Sequence, residues 1–557
     1  MPELADAGPG EPESSALPDA VDVVVIGGGV AGLVAARQLA HLGQSVLLVE
    51  ERPVLGGFVA RHEVAGVALD AGAESFAIRK GTVAGLATDL GLGDDIVTPD
   101  AAGAWVTWNG GTAPLPAAGV LGIPGSPLAD DVRRILGWGG SLRAYLDRLM
   151  PLVRVRTETD LGDIVRRRMG QRVLDRLVTP VVAGVHSADP GVVDVHTVAP
   201  GLTQAMTTQG SLSGAVMALR EQAPAGSLVQ GIAGGVYRLV EALEADCRYY
   251  GVQIRTRTRA ATVARAVEAG SVTDAAAPGD PDAGGTTSAA DPVWRIELES
   301  AVGESESESE GEGESEGETA PQTADDASGR TITARAVLLA TGFRGGLRLL
   351  GEIAPEVLPP AASWPEPASV TLATIVVDEP RLDAHPRGTG VLVGEGTPGV
   401  AAKALTHSSA KWRWLADSLP AHRHVLRLSY GRGHAVAGAS GAEIAGAEAS
   451  GTPASVAPEV TLATALHDAG TLLGVPLAPG SVAGFAVTPW NDSLAFATVG
   501  HKARVRLLLA GVEAVPGLEV AGAWVAGTGL AATVEQARVT ASGLAAHLRG
   551  ERRAPQG

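Results

Sequence analysis

The hydrophobic pattern is clearest near the start of the chain. Val21-Asp22-Val23-Val24-Val25-Ile26 is a short β-branched apolar run stopped by glycine, which predicts a strand buried on both faces. Gly27-Gly28-Gly29-Val30-Ala31-Gly32 follows. From Leu33 to Leu42 apolar residues recur at helical spacing, and Gly43 ends that helix. Ser45-Val46-Leu47-Leu48-Val49 predicts a second strand, closed by Glu50. The result is a β-α-β unit with G-x-G-x-x-G at its first turn and an acid about 20 residues on. In such a unit Gly27 allows the tight turn, Gly29 lets main-chain N–H groups approach a pyrophosphate, and Gly32 lets helix and strand pack closely. The helix start at Val30 and Ala31 favours phosphate charge, and Glu50 can accept hydrogen bonds from a ribose. The alternative is a glycine-rich turn with no ligand, and a complete unit in register argues against it.

Further apolar runs predict strands at Val252–Ile254 and on to Val263 and at Ala336–Ala340, and a strand and loop within Leu518–Leu530 before a last helix. Val370–Val377, Gly390–Val393 and Val425–Tyr430 predict strands of a second domain. Leu128 to Val182 reads as helical.

A chain of 557 residues is too long for one simple core and implies two or three domains. The 45% apolar content is ordinary for a globular protein, while aromatics are few at 3%. Apolar runs long enough to cross a bilayer are absent from the sequence. Residues 1–20 are acidic and rich in Pro and Gly, and read as a disordered tail. With Cys247 as the single cysteine, no intrachain disulfide or cysteine-rich metal site is expected, and a reducing cytoplasm fits. The net charge of −19 argues against nucleic acid as a partner. Eight of those charges are the glutamates of 303–318, inside an Ala/Asp/Gly/Pro-rich stretch at 270–329, broken only by Val293-Trp294-Arg295-Ile296-Glu297-Leu298, that reads as a disordered acidic insertion. In contrast, Asp131 to Arg176 holds eleven arginines against six acids. Attraction of a polycarboxylate substrate, peripheral contact with anionic lipid, and solvated helix faces are the three readings of that surplus.

After Glu50 and Glu51 the chain reads Arg52-Pro53-Val54-Leu55-Gly56-Gly57. A glycine pair just beyond the ribose acid resembles the FAD-dependent oxidases of the amine oxidase and protoporphyrinogen oxidase superfamily. Most members carry arginine directly before Leu-Gly-Gly, where this chain has Val54. Trp105 to Pro127, with Pro114-Leu115-Pro116 and Leu121-Gly122-Ile123-Pro124, resembles the protoporphyrinogen and coproporphyrinogen III oxidases more closely. So does Thr179 to Pro190, where His186 stands at a departure from the family pattern and reads as a loop residue. Ser408-Ser409-Ala410-Lys411-Trp412, Pro489-Trp490 and Val499-Gly500-His501 resemble further family marks, although Leu494-Ala495-Phe496 departs from the usual Pro-Gln-Tyr.

The resemblance implies an α/β fold: a two-dinucleotide-binding, Rossmann-like FAD domain with a mixed-sheet substrate domain and an α-helical insertion domain. The implied boundaries are 21–104, 231–350 and 497–550 for the FAD domain, 105–127 and 351–496 for the substrate domain, and 128–230 for the helices. It implies FAD contacts from Gly27, Gly29, Val30, Ala31, Gly32, Glu50, Glu51, Gly56 and Gly57. Ala260 is expected near the adenine, and Thr341, Gly342, Gly522, Gly529 and Leu530 at the closing loops. Arg79 and Lys80 are expected beside a substrate propionate, with a surface pair as the alternative. No general base and no metal site are named.

The implied activity is oxidation of coproporphyrinogen III to coproporphyrin III in heme biosynthesis, with dioxygen as acceptor, in the cytoplasm or at a membrane surface. Protoporphyrinogen IX is the alternative substrate. A flavin amine oxidase, a carotenoid-type desaturase and a non-enzymatic FAD-binding interaction protein are the other readings, and the oligomeric state stays open.

Overall fold

The computed structural model describes residues 17–151, 160–222, 229–266, 293–301, 329–360, 364, 368–431, 460–493, 498–527 and 529–550. The strand Ala20–Ile26 (β1), the helix Val30–His41 (α1) and the strand Val46–Val49 (β2) form the expected unit. β1 and β2 are parallel, with Val24 opposite Leu47 and Ile26 opposite Val49. The central sheet runs Gln253–Arg255, β2, β1, Arg330–Leu339, Val293–Ser300, Thr258–Ala266. Leu518–Val520 adds in parallel to the far half of Arg330–Leu339.

The unbroken apolar run of β1 now has its reason. Val23 and Val25 pack with Leu33 and Leu39 of α1 and with the helices Arg238–Tyr249 and Leu530–Leu548. Val24 and Ile26 pack on the other face with Trp294, Leu298 and the helices Phe343–Ile353 and His501–Glu513. A strand covered on both faces has no place for polar alternation. Cys247 is buried in the first of these cores.

Two expectations about disorder need correction. Val293–Ser300 does not belong to a disordered insertion over 270–329. It is an inner strand of the sheet, paired with Thr258–Ala266 on one side and Arg330–Leu339 on the other. Trp294, Ile296 and Leu298 alternate inward and are fully buried, each contributing about 1.5–3 kcal/mol of burial. The acidic run 303–318 lies outside the described residues. Residues 17–20, expected in the tail, are ordered parts of the fold: Leu17 is buried in the core, and Asp19 O accepts from Thr333 N.

The second sheet runs Val482–Ser493, Ala368–Asp378, Arg423–Tyr430, Ala404–His407, Gly390–Val393, Ala104–Trp108, Gly111–Pro114. All its pairings are antiparallel except Gly390–Val393 with Ala104–Trp108.

Beside its edge stand the helices Asp130–Tyr145, Leu161–Met169, Thr179–His186, Leu202–Gln209 and Leu212–Gln222. They share one core with Val106, Ala113 and Ile123 of the preceding strands. His186 is therefore the last residue of a helix, not a loop residue, and its side chain lies outside the described residues.

Four arginines of the basic stretch have internal work. Gly137 (φ 69°) breaks the first helix, and Arg176 and Arg172 donate to the carbonyls of Ile135 and Leu136 next to the break, at 2.8 and 3.4 Å. Arg143 donates to the carbonyls of Arg167 and Arg168 at the end of Leu161–Met169. Arg168 is buried with Asp147 at 2.6 Å. These cations satisfy helix-end carbonyls rather than forming one solvated face.

Candidate cofactor and active site

Register brings the site together. Val49, Ile26, Leu339 and Val520 lie side by side at the carboxyl ends of parallel strands. Helices leave from Gly29, Gly342 and Gly529 beyond the last three, and no side chain caps any of the three helix starts. Free N–H groups at adjacent helix N-termini, above the carboxyl edge of a parallel sheet, form a crevice suited to an anionic ligand.

The three fingerprint glycines divide by geometry. A Cβ on Gly27 (φ +111°) would lie 2.6 Å from the Ala340 carbonyl oxygen, and one on Gly32 would lie 1.9 Å from the Gly27 oxygen. Those two are glycine for the fold. Gly29 has φ −70°, which any residue adopts, and a Cβ there would meet no protein atom within 4 Å. Its missing side chain leaves space for a ligand. Gly56 closes over that space: its N–H donates to Gly28 O at 2.9 Å, and it bridges to Gly29. Gly57 follows, a Cβ on it falling 3.5 Å from the Gly29 Cα.

Glu50 is held by two main-chain donors, Gly28 N at 2.6 Å to Oε2 and Arg52 N at 2.9 Å to Oε1. Burial raises its carboxyl above the ordinary range, with these N–H groups working against it. Ala260 is buried beside this region, on the strand whose Thr258 N–H donates to Glu50 O. Glu51 is exposed.

At the far side, the Thr341 carbonyl accepts from Trp524 Nε1, while its buried hydroxyl has no partner among the described residues. Gly522 N donates to Gln536 Oε1, fixing the loop that leads to Gly529 and Leu530. Val30, Ala31 and Gly342 stand at the helix starts already described.

The substrate residues fare differently. Lys80 is exposed and ion-paired with Glu535 at 2.9 Å, and the Arg79 side chain lies outside the described residues. Arg52 reaches the second sheet, its guanidinium 5.7 Å from the Trp490 ring centre, whereas Val54 is exposed. Leu494-Ala495-Phe496 lies outside the described residues.

Sequence reasoning passed over a partly buried charge cluster at the seam of the two sheets. Asp70 accepts from the N–H groups of Val236 and Tyr237 at the start of Arg238–Tyr249, at 3.1 and 2.8 Å. Glu74 meets Lys411 at 2.5 Å and Arg427 at 3.7 Å. Its partners are more than 300 residues distant in sequence, so spacing carries no signal of them.

The model of the family described as flavin containing amine oxidoreductase matches residues 30–284. That span begins one residue after Gly29 and takes in Glu50, Gly56, Gly57 and Ala260. The chain is similar to this family over that span. It is an oxidoreductase, its cofactor is FAD, and the open cradle, the bound ribose-side acid and the uncapped helix starts fit that cofactor. A coproporphyrinogen III oxidase of Mycobacterium tuberculosis is 27% identical over 92% of the chain and 94% of the relative. One from Bacillus subtilis is 31% identical over 30% of the chain and 37% of its own length. A solved structure from Exiguobacterium sp. 255-15, provisionally assigned as a protoporphyrinogen oxidase, superposes with a TM-score of 0.70 at 22% identity. It covers 95% of this chain and 99% of that one, and shows the shared fold.

Proposed function

We propose that the chain oxidises coproporphyrinogen III to coproporphyrin III in heme biosynthesis, with dioxygen as acceptor. The observation that carries the reading is alignment along nearly the whole length with the mycobacterial coproporphyrinogen III oxidase, on a structure whose first unit forms an open anion cradle. Bound FAD supplies removal of hydride equivalents and their transfer to dioxygen. The chain's own part is to hold the nucleotide at Gly29, Glu50 and the three helix starts, with Ala260 near the adenine. Gly56 and Gly57 cover the pyrophosphate, and Gly522, Gly529 and Leu530 close the opposite side. The second sheet and the helical region form the substrate side.

The test is porphyrin fluorescence in air, with coproporphyrinogen III and protoporphyrinogen IX in parallel and enzyme-free controls for autoxidation. Faster oxidation of coproporphyrinogen III is expected. Preference for protoporphyrinogen IX moves the substrate to the alternative, and a yellow, folded protein that beats neither control removes the reading.

A second proposal concerns where the enzyme works. Trp138, Leu142, Tyr145, Leu146 and Leu149 follow the break at Gly137 and are all exposed, Trp138 by 70% and Leu149 by 75%. Their spacing gives one face. Arg133 lies 4.4 Å from the Trp138 ring and Arg148 5.6 Å from that of Tyr145. An apolar stripe edged by arginines suits an anionic lipid surface. No described helix is long and apolar enough to cross a membrane. Co-flotation with vesicles containing phosphatidylglycerol, lost in Trp138→Ser with Leu149→Ser, is expected. Equal flotation of both proteins would refute it.

A further inference from the structure

The segment Asp70 to Glu74 is held at every residue. Asp70 caps the start of Arg238–Tyr249. Ala71 N–H donates to Ala60 O at 2.9 Å, and Ala71 O accepts from Trp490 Nε1 at 3.0 Å. Gly72 lies so close under Phe58 that a Cβ would fall 2.1 Å from the Phe58 oxygen. Ala73 N–H donates to the same oxygen at 2.8 Å. Phe58 directly follows Gly57, which covers Gly29. A continuous path therefore runs from the cofactor cradle through Phe58 to Glu74.

At the end of that path Glu74 leaves the nucleotide-binding side and enters the second sheet's territory. Lys411 Nζ contacts Oε1 at 2.5 Å, and Ser408 Oγ donates to Oε2 at 3.3 Å. Arg427, from the strand Arg423–Tyr430, stands 3.7 Å from Oε2 and also donates to Asp70 O at 3.4 Å. Although burial opposes ionisation, the Lys411 ammonium and the Arg427 guanidinium hold the Glu74 carboxyl down to about 2. Two cations from the substrate side thus grip one carboxylate on a segment that also touches the cradle. A surface ion pair adds little, but loss of a partner from a buried pair is felt strongly.

We propose that Glu74 is a positioning residue, whose ion pair with Lys411 fixes the Asp70–Glu74 wall between cofactor cradle and substrate sheet at the spacing turnover requires. The proposal rests on the oxidase reading for its kinetic test. Glu74→Gln keeps the shape and one acceptor while removing the charge. A displaced wall misplaces the reacting groups, so kcat falls by roughly 10- to 100-fold. KM stays within about threefold, because Glu74 is assigned no substrate contact. FAD stoichiometry stays at the wild-type level, since the cradle atoms are untouched.

The pH profile is a readout that a merely structural role would not move. Asp70 is pushed up to about 6 by burial, against the Tyr237 and Val236 amides and Arg427, and Glu74 raises it further. With Glu74 neutral, Arg427 faces Asp70 uncompensated, with His62 near Arg427. The acid limb of kcat is therefore expected to move to lower pH.

The experiment is steady-state kinetics from pH 5 to 8 on FAD-loaded Glu74→Gln and Lys411→Met, with hydrogen exchange over residues 70–76. Supporting results are a drop in kcat at full FAD loading, a shifted acid limb, and faster exchange in the segment. Unchanged kcat and unchanged exchange overturn the proposal, as does loss of folding in both variants. The exchange measurement stands whatever the substrate proves to be, so failure of the oxidase reading is told apart from failure of this one.

Discussion

Gly29→Ala is the substitution that separates the cradle from the fold. In the free protein the new methyl meets nothing within 4 Å, and the backbone at φ −70° and ψ 176° already suits alanine. Lower entropy of the unfolded chain should add about 0.4–1 kcal/mol to the stability of the FAD-free protein. Bound FAD changes the sign. The Cβ fills the space through which the pyrophosphate reaches the helix start, and one charge-assisted hydrogen bond lost is worth about 1.5–3 kcal/mol. That raises Kd by roughly 10- to 150-fold.

The assay is thermal unfolding of deflavinated protein with and without FAD, beside a direct FAD titration. At a concentration about 1,000 times the wild-type Kd, FAD stabilises wild type by about 4 kcal/mol, and a 100-fold weaker variant by about 1.4 kcal/mol. Gly32→Ala is the contrast, because its Cβ would lie 1.9 Å from the Gly27 oxygen and the FAD-free protein itself should unfold. A Gly29→Ala protein that binds FAD within twofold of wild type would refute the reasoning. So would one destabilised without FAD.

Three further outcomes follow from the same geometry. Asp147→Ala strands a buried arginine, since Asp147 is fully buried and accepts from Arg168, Leu212 N and Ser213 N. It should cost about 3–5 kcal/mol in urea unfolding, and a loss under about 1 kcal/mol would sink the assignment. Burial, with His424 and His385 adding to it, lowers His407 to about 3 from 6.5. The unfolded chain therefore binds this proton first, stability falls as pH drops from about 6.5 towards 3, and His407→Gln should flatten that slope in urea unfolding at pH 7 and pH 4.5. Replacing residues 302–328 by a two-residue turn should leave oxidase activity intact and add about 1–2 kcal/mol of stability, because Leu298 already pairs with Arg330 and only loop-closure entropy changes. Loss of activity there would refute the expectation.

The sequence by itself determined the first β-α-β unit, the identity of its glycines and acid, and the buried strand ending at Ala340-Thr341-Gly342. Those features are local: strand, turn and helix are written in consecutive residues, and glycine is required where backbone meets backbone. Composition misled where a short apolar stretch sat among polar neighbours. Val293–Ser300 is a central strand because Trp294, Ile296 and Leu298 alternate onto a core built by distant segments. The arginine surplus showed the same limit: a count of charges does not reveal that Arg172 and Arg176 cap a helix broken at Gly137.

What only the tertiary structure decided is how the two sheets meet. Glu74 and Lys411 lie 337 residues apart, and although Lys411 sits in the Ser408–Trp412 mark, nothing in the spacing pairs it with Glu74. Their contact exists because the hairpin Arg61–Val64 and Val67–Asp70 packs Val64 and Leu69 against Val376, Trp412 and Val425 of the second sheet. Burial then turns an ordinary pair of opposite charges into a fixed joint, since in a low-dielectric seam each needs the other.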